Sequence, residues 1–173
     1  MINDFSEFIK QAHINAVFPE RIKGYSDEEI SKVERLFDIK ITGEMKLFFQ
    51  TMGRCSGGLI NDSGFVIYRK NTLRVNLLGA NDFIRDLRAI RRFDLIKQKP
   101  FSLACENETQ DYFCLTDDGG KYQVYRYDEN EEEVFETGFT FGTYMMKVSE
   151  EGKRNWENLG IEPRVYETDL LEI

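Results

Sequence analysis

Apolar positions between residues 101 and 148 follow two different rhythms. Phe101, Leu103 and Cys105 alternate with smaller or polar neighbours, and residues 112–116 form a second apolar run. Tyr122, Val124 and Arg126 lie on one side of a third run, whose other side carries Gln123, Tyr125 and Tyr127; residues 133–136 make a short fourth. Period-two runs rich in β-branched and aromatic residues, punctuated by Asn, Asp and Gly, predict strands. Asp117-Asp118-Gly119-Gly120 predicts a hairpin turn, because glycine takes a positive φ without steric cost. Residues 106–111 read as a looser polar turn and residues 128–132 as an acidic one. The period then switches. Phe141, Tyr144, Met145 and Val148 fall at i, i+3, i+4 and i+7, one face of a helix that Thr140 can cap. This half of the chain is therefore an antiparallel meander closed by an amphipathic helix, and its apolar face needs cover from the rest of the chain.

The preceding residues supply helices. Phe5, Phe8, Ile9 and Ala12 have helical spacing, with Asn3 as the expected cap. Pro19, Gly24 and Tyr25 mark an irregular connection. Ser26-Asp27-Glu28-Glu29 has the form of a capping box, and the helix behind it turns Ile30, Val33, Leu36 and Phe37 inward before ending near Asp38. Thr42 is the expected cap of a third helix bearing Met45, Phe48, Phe49 and Met52 on one face, stopped by Gly53. Residues 65–68 and 73–77 read as two strands around a turn at Arg69-Lys70-Asn71, because Leu73, Val75 and Leu77 alternate with Arg74 and Asn76. Asn81 is the expected cap of a helix carrying Phe83, Ile84, Leu87 and Ile90. Helices, strands, one inserted helix, further strands and a closing helix predict an α+β fold. It has a mainly antiparallel sheet of about six strands with helices packed against it. Residues 1–152 form a single domain with its core at 26–150, and 153–173 are a C-terminal tail that docks on it in part through its scattered apolar residues.

Composition narrows the function. The 173 residues are enough for one domain with a real core, and the 41% hydrophobic content excludes global disorder. A net charge of −8 argues against nucleic-acid binding and suits a basic partner. Cys55, Cys105 and Cys114 are expected as reduced thiols, in keeping with a cytoplasmic protein. No secretory leader is visible at the N-terminus, and no apolar run approaches membrane-helix length.

Catalytic chemistry finds little support. His13 is the single histidine, which rules out paired-histidine metal motifs, and nothing in the sequence brings it to Cys55. Ser56-Gly57-Gly58 lacks the Gly-Lys-Ser/Thr ending of a phosphate loop and reads as a turn. The acidic stretch 128–133 fails as a calcium loop, because Glu133 stands where the sharp turn needs glycine. Arg85, Arg88, Arg91, Arg92, Lys97 and Lys99 are basic, but Asp82, Asp86 and Asp94 are interleaved, which predicts local ion pairs. No catalytic residue, metal or cofactor is expected.

Residues 26–59 together with the meander resemble the SUKH superfamily, which includes bacterial immunity proteins and fungal cell-wall-synthesis regulators. The first half of the resemblance rests on Glu29-Ile30, Glu34-Arg35-Leu36-Phe37, Ile41-Thr42, Leu47-Phe48-Phe49 and Met52-Gly53. The second half rests on residues 101–104, 106–111 and 112–115, on Val124-Tyr125, and on residues 128–133 and 139–145. Phe37 stands where glycine is usual, Thr42 where proline is usual and Met52 where asparagine is usual. The resemblance implies helices on a mainly antiparallel sheet. It also implies a non-catalytic immunity protein that binds a cognate toxin domain, basic and nuclease-like, and occludes its active site. The alternatives are a regulatory interaction scaffold, as in the fungal relatives, and a small-ligand protein or enzyme using Cys55 and Gly57. The expected partner-binding residues are Asp117, Asp118, Glu129, Glu131 and Glu132 for charge, with Tyr125 or Tyr127 as anchor. No nucleic acid or membrane is expected as a partner, and the chain is expected to be a monomer or weak homodimer.

Overall fold

The computed structural model describes residues 4–60, 73–160 and 165. Among these residues seven helices and four strands follow in the order α1 (Phe5–Lys10), α2 (Ala12–Asn15), a 3-10 turn (Pro19–Arg21), α3 (Asp27–Phe37), α4 (Gly43–Met52), α5 (Leu73–Ala89), α6 (Phe93–Lys97), β1 (Pro100–Glu106), β2 (Gln110–Leu115), β3 (Gln123–Asp128), β4 (Glu133–Thr140) and α7 (Phe141–Leu159). The strands make one antiparallel sheet in sequential order, β1-β2-β3-β4.

The helix starts show how local chemistry sets boundaries. Asp4 caps α1, its carboxylate accepting from Ser6 N–H at 2.8 Å; the expected cap, Asn3, lies outside the described residues. The Ser26–Glu29 capping box forms with both of its hydrogen bonds. Asp38 ends α3 in the left-handed conformation. Thr42 starts α4 without capping it. Its hydroxyl bonds instead to the Tyr122 hydroxyl, which also accepts from Thr42 N–H at 2.8 Å. A residue with helix-cap chemistry is thus used to tie α4 to the start of β3.

Two expectations are corrected. The sheet has four strands among the described residues rather than about six. Residues 73–77, expected as a strand, are the first turns of the 17-residue helix α5, and Asn81, expected as its cap, lies inside it; residues 65–68 lie outside the described residues. Over five residues Leu73, Val75 and Leu77 match period two. Over the longer window, positions 73, 77, 80, 84 and 87 recur at helical spacing, and the longer pattern prevails.

The meander is covered on both faces. On one face Phe101, Leu103, Cys114 and Val124 join Phe5, Phe8, Ile30, Val33, Met45, Phe48 and Phe49 and the α7 residues Phe141, Tyr144, Met145 and Val148 in one core. On the other, Phe113, Leu115 and Tyr127 pack with Phe83, Leu87 and Leu95 from α5 and α6. The uninterrupted apolar run of β2 is what a strand buried on both sides carries, alternate residues serving opposite layers. The inserted helix is therefore a second covering layer.

Candidate partner-binding surface

Every turn of an antiparallel meander lies at one of two ends of the sheet, and alternate turns share an end. The β2–β3 turn holds Asp117 and Asp118. The β1–β2 and β3–β4 turns lie together at the opposite end and hold residues 107–109 and 129–132. The six residues of β3 separate the ends by roughly 20 Å at ~3.3 Å per residue. The seven residues singled out in the sequence therefore do not sit together at one end of the sheet.

At the first end Gly119 and Gly120 take φ of 81° and 86°. The Asp118 carboxylate accepts from three backbone N–H groups, those of Lys121 and Tyr122 at 2.9 Å and Gln123 at 2.8 Å. It holds the turn together. Asp117 beside it is exposed.

At the second end two turns are joined. Glu129 N–H donates to Thr109 C=O at 2.9 Å. Asp128 is buried; its carboxylate accepts from Gln110 Nε2 at 2.9 Å and from Asn130 N–H at 3.1 Å. These bonds present Glu108, Glu129, Glu131, Glu132 and Glu133, all exposed, and no cation is paired with any of the five among the described residues. Arg126 on the neighbouring strand is drawn over the Phe135 ring, 4.7 Å from its centroid. Sequence reasoning named Glu129, Glu131 and Glu132 but not Glu108 or Glu133. The signal that could have found Glu108 is the meander rule itself.

The two tyrosines are not equivalent. Tyr127 is only 5% exposed and packs against Phe83, with centroids 6.4 Å apart. Burial, then Asp86, Glu129, Glu132 and Asp111, push its phenol above the usual value. Tyr125 is half-buried and stacked on Phe113 at 5.7 Å. Burial and then Glu136 raise its phenol. Tyr125 keeps an accessible edge, whereas Tyr127 belongs to the core.

The remaining candidate chemistry is structural. Cys55 is fully buried and paired with Lys23 in an isolated β-bridge, while His13 is exposed on α2. A Cβ on Gly57 would come 2.4 Å from the Phe18 carbonyl oxygen, so this turn is packed against the chain before it. Arg85 pairs with Asp82 and Asp86, and Arg92 with Asp94, as their interleaving predicts. Among the described residues no group of His, Cys, Asp and Glu could hold a metal ion.

All three cysteines are free. Burial, with a contribution from Asp118, pushes the Cys114 thiol far above its ordinary 9.0. Burial also raises Tyr112, Tyr125 and Tyr127 above 10.0. Each of these groups is neutral when protonated, so in alkali the unfolded chain releases protons that the folded chain retains. Their stabilising contribution is whole below the ordinary values and is lost as pH rises past them. Melting temperature should therefore hold to about pH 9 and fall steadily beyond it. A melting temperature that stays level to about pH 11 contradicts this assignment.

An antiparallel meander clasped between two helical layers, with an exposed acidic end, defines an α+β domain. A family model described as SUKH_5, SMI1-KNR4 cell-wall, matches residues 2–150, and the chain belongs to this family within the SUKH superfamily. Membership supports a role in protein–protein interaction. No curated protein and no solved structure matches the chain. Among the described residues no helix is long and apolar enough to cross a membrane.

Proposed function

We propose that this SUKH protein is a non-catalytic immunity protein that acts in the cytoplasm and neutralises a cognate toxin domain by covering its active site. The observation that carries this reading is the joined pair of turns with five exposed carboxylates, none of them paired with a cation among the described residues. Such an end attracts a cleft built to bind a polyanion, since carboxylates in those positions replace phosphates and raise the association rate. A nuclease-like domain has that chemistry. Occlusion needs no acid, base or metal from this chain.

The test is a tagged pull-down from the native cell, washed at low and at high salt, with partners identified by mass spectrometry. One dominant stoichiometric partner with a basic toxin-like domain is the expected result. Several host proteins that wash off at high salt, with no toxin among them, would replace immunity with the scaffold reading and leave the family assignment intact.

A further inference from the structure

Strand β4 forms one edge of the sheet, and among the described residues β3 is the one strand paired with it. None of its eight residues is fully buried. The other edge strand, β1, begins with Pro100, which has no N–H, and buries Phe101, Leu103 and Ala104. Registry decides which peptide groups of β4 are free of β3. Glu129 N–H donates to Thr109 C=O at 2.9 Å, so these two residues form a hydrogen-bonded pair. Counting along β3 in twos, Tyr127 and Tyr125 turn their peptide groups toward β2, and Asp128, Arg126 and Val124 turn theirs toward β4. The Thr137 hydroxyl, which donates to Val124 C=O at 2.6 Å, agrees. Glu133 and Phe135, the partners of Asp128 and Arg126, are therefore bonded to β3. Val134 and Glu136 point their N–H and C=O groups away from the sheet. Beyond Glu136 the register shifts, with Gly138 at φ 77°, and the open edge ends.

We propose that residues 133–136 take an added strand from the partner protein, one whose side chains run basic, apolar, apolar, basic. The proposal rests on the reading above in taking the partner to be basic, and it names how that partner is held. Side chains alternate between the two faces along β4. Glu133 and Phe135 share the α7 face with Arg126 and Tyr112, the Arg126 guanidinium lying over the Phe135 ring. Val134 and Glu136 stand on the other face, where Val134 packs with Phe113 and Tyr127. Val134 and Phe135 are half-buried, and Glu133 and Glu136 are exposed. An added strand lies about 4.8 Å away and sets its side chains beside these four. Its apolar residues complete the burial of Val134 and Phe135, and its cations meet Glu133 and Glu136. The pattern reads the same in both directions, so it holds for parallel and antiparallel addition. Main-chain bonds to Val134 and Glu136 supply affinity, and the side chains supply specificity. A second copy of the chain is a poorer occupant. Two β4 strands joined edge to edge crowd the Glu133 and Glu136 carboxylates of both copies along one short seam, where like charges repel.

The probe is a synthetic peptide with the core Lys-Val-Val-Lys, and its counterpart carries Glu-Val-Val-Glu. Binding to the full chain is followed by titration, and amide hydrogen exchange is read residue by residue by NMR. The lysine peptide should bind and slow exchange at the Val134 and Glu136 amides, and the glutamate peptide should do neither. Glu136→Gln removes a charge and keeps the N–H; Glu136→Pro removes both. The first should weaken binding by about threefold and the second by about tenfold or more. Proline is tolerated where an edge-strand N–H faces solvent, and circular dichroism confirms the fold. Where the proline variant folds poorly, exchange in the unaltered chain decides the matter. No binding of the lysine peptide, or binding that leaves both amides fast, overturns the proposal. So do amides already slow in the free chain, which mean an edge already paired, and slowing that grows with protein concentration, which means a second copy. Either result alongside a basic toxin-like partner from the pull-down leaves the immunity reading standing. Slowed exchange with the lysine peptide, and no such partner, keeps the added strand and removes the immunity reading.

Discussion

Reversing three charges at the acidic end, Glu129→Lys/Glu131→Lys/Glu132→Lys, should weaken binding to the partner recovered by pull-down by about 100-fold at low ionic strength, or ~2.7 kcal/mol. Each change removes an attraction and adds a repulsion, and the loss should fall mainly on the association rate. The salt dependence of binding should flatten or invert, since screening then relieves repulsion. The fold should survive, because all three side chains are exposed and make no described ion pair; surface changes of this kind usually cost within about 0.5 kcal/mol each. Isothermal titration at two salt concentrations measures the effect. Asp117→Lys is the control at the opposite end of β3, roughly 20 Å away, and should leave affinity nearly unchanged. Equal losses from both would mean that the interface spans the length of the sheet. No loss from the triple variant would move the interface off the acidic end altogether.

Gly24→Ala should destabilise the fold by about 3 kcal/mol or more. A Cβ at residue 24 would lie 1.8 Å from the Gln50 carbonyl oxygen and 2.9 Å from the Thr51 backbone nitrogen. These are backbone atoms near the end of α4 and cannot step aside as a flexible side chain would. The neighbouring bonds hold the two segments close: Tyr25 N–H donates to Phe49 C=O at 2.8 Å, Lys23 N–H to Cys55 C=O at 3.0 Å, and Arg54 N–H to Lys23 C=O at 2.9 Å. Arg54 also pairs with Glu29 and lies over the Tyr25 ring, 4.4 Å from its centroid. An added methyl group must break this strap or tilt α4, whose Phe48 and Phe49 are fully buried. Gly79→Ala is the opposite case. Its Cβ would meet nothing within 4 Å on helix α5, so the change should stabilise by about 0.5–1 kcal/mol through helix propensity. Urea denaturation of the two variants should give midpoints moved in opposite directions, and a Gly24→Ala midpoint equal to wild type would refute the close-approach argument.

The contrast between these glycines shows where sequence reasoning stops. Both are single letters, and nothing in their sequence neighbours shows what a Cβ at either position would meet. Residue 24 is constrained by a backbone twenty-six positions away, residue 79 by nothing nearby. The Thr42 case is similar: its chemistry predicts a helix cap, but a tyrosine eighty residues on takes its hydroxyl.

What the sequence determined by itself was local. The Ser26–Glu29 box, the glycine turn after Asp118, the four strands of the meander and the apolar stripe of α7 all depend on residues a few positions apart. Their energies are therefore set by side chains that any short window contains. The acidic and tyrosine residues were legible as individuals for the same reason. What only the tertiary structure decided was their grouping. Hydrogen-bond registry placed Glu129, Glu131 and Glu132 with Glu108 and Glu133, and set Asp117 and Asp118 at the far end. Packing on the second face turned Tyr127 into core. Burial and proximity are sums over segments distant in sequence, and no local pattern encodes them.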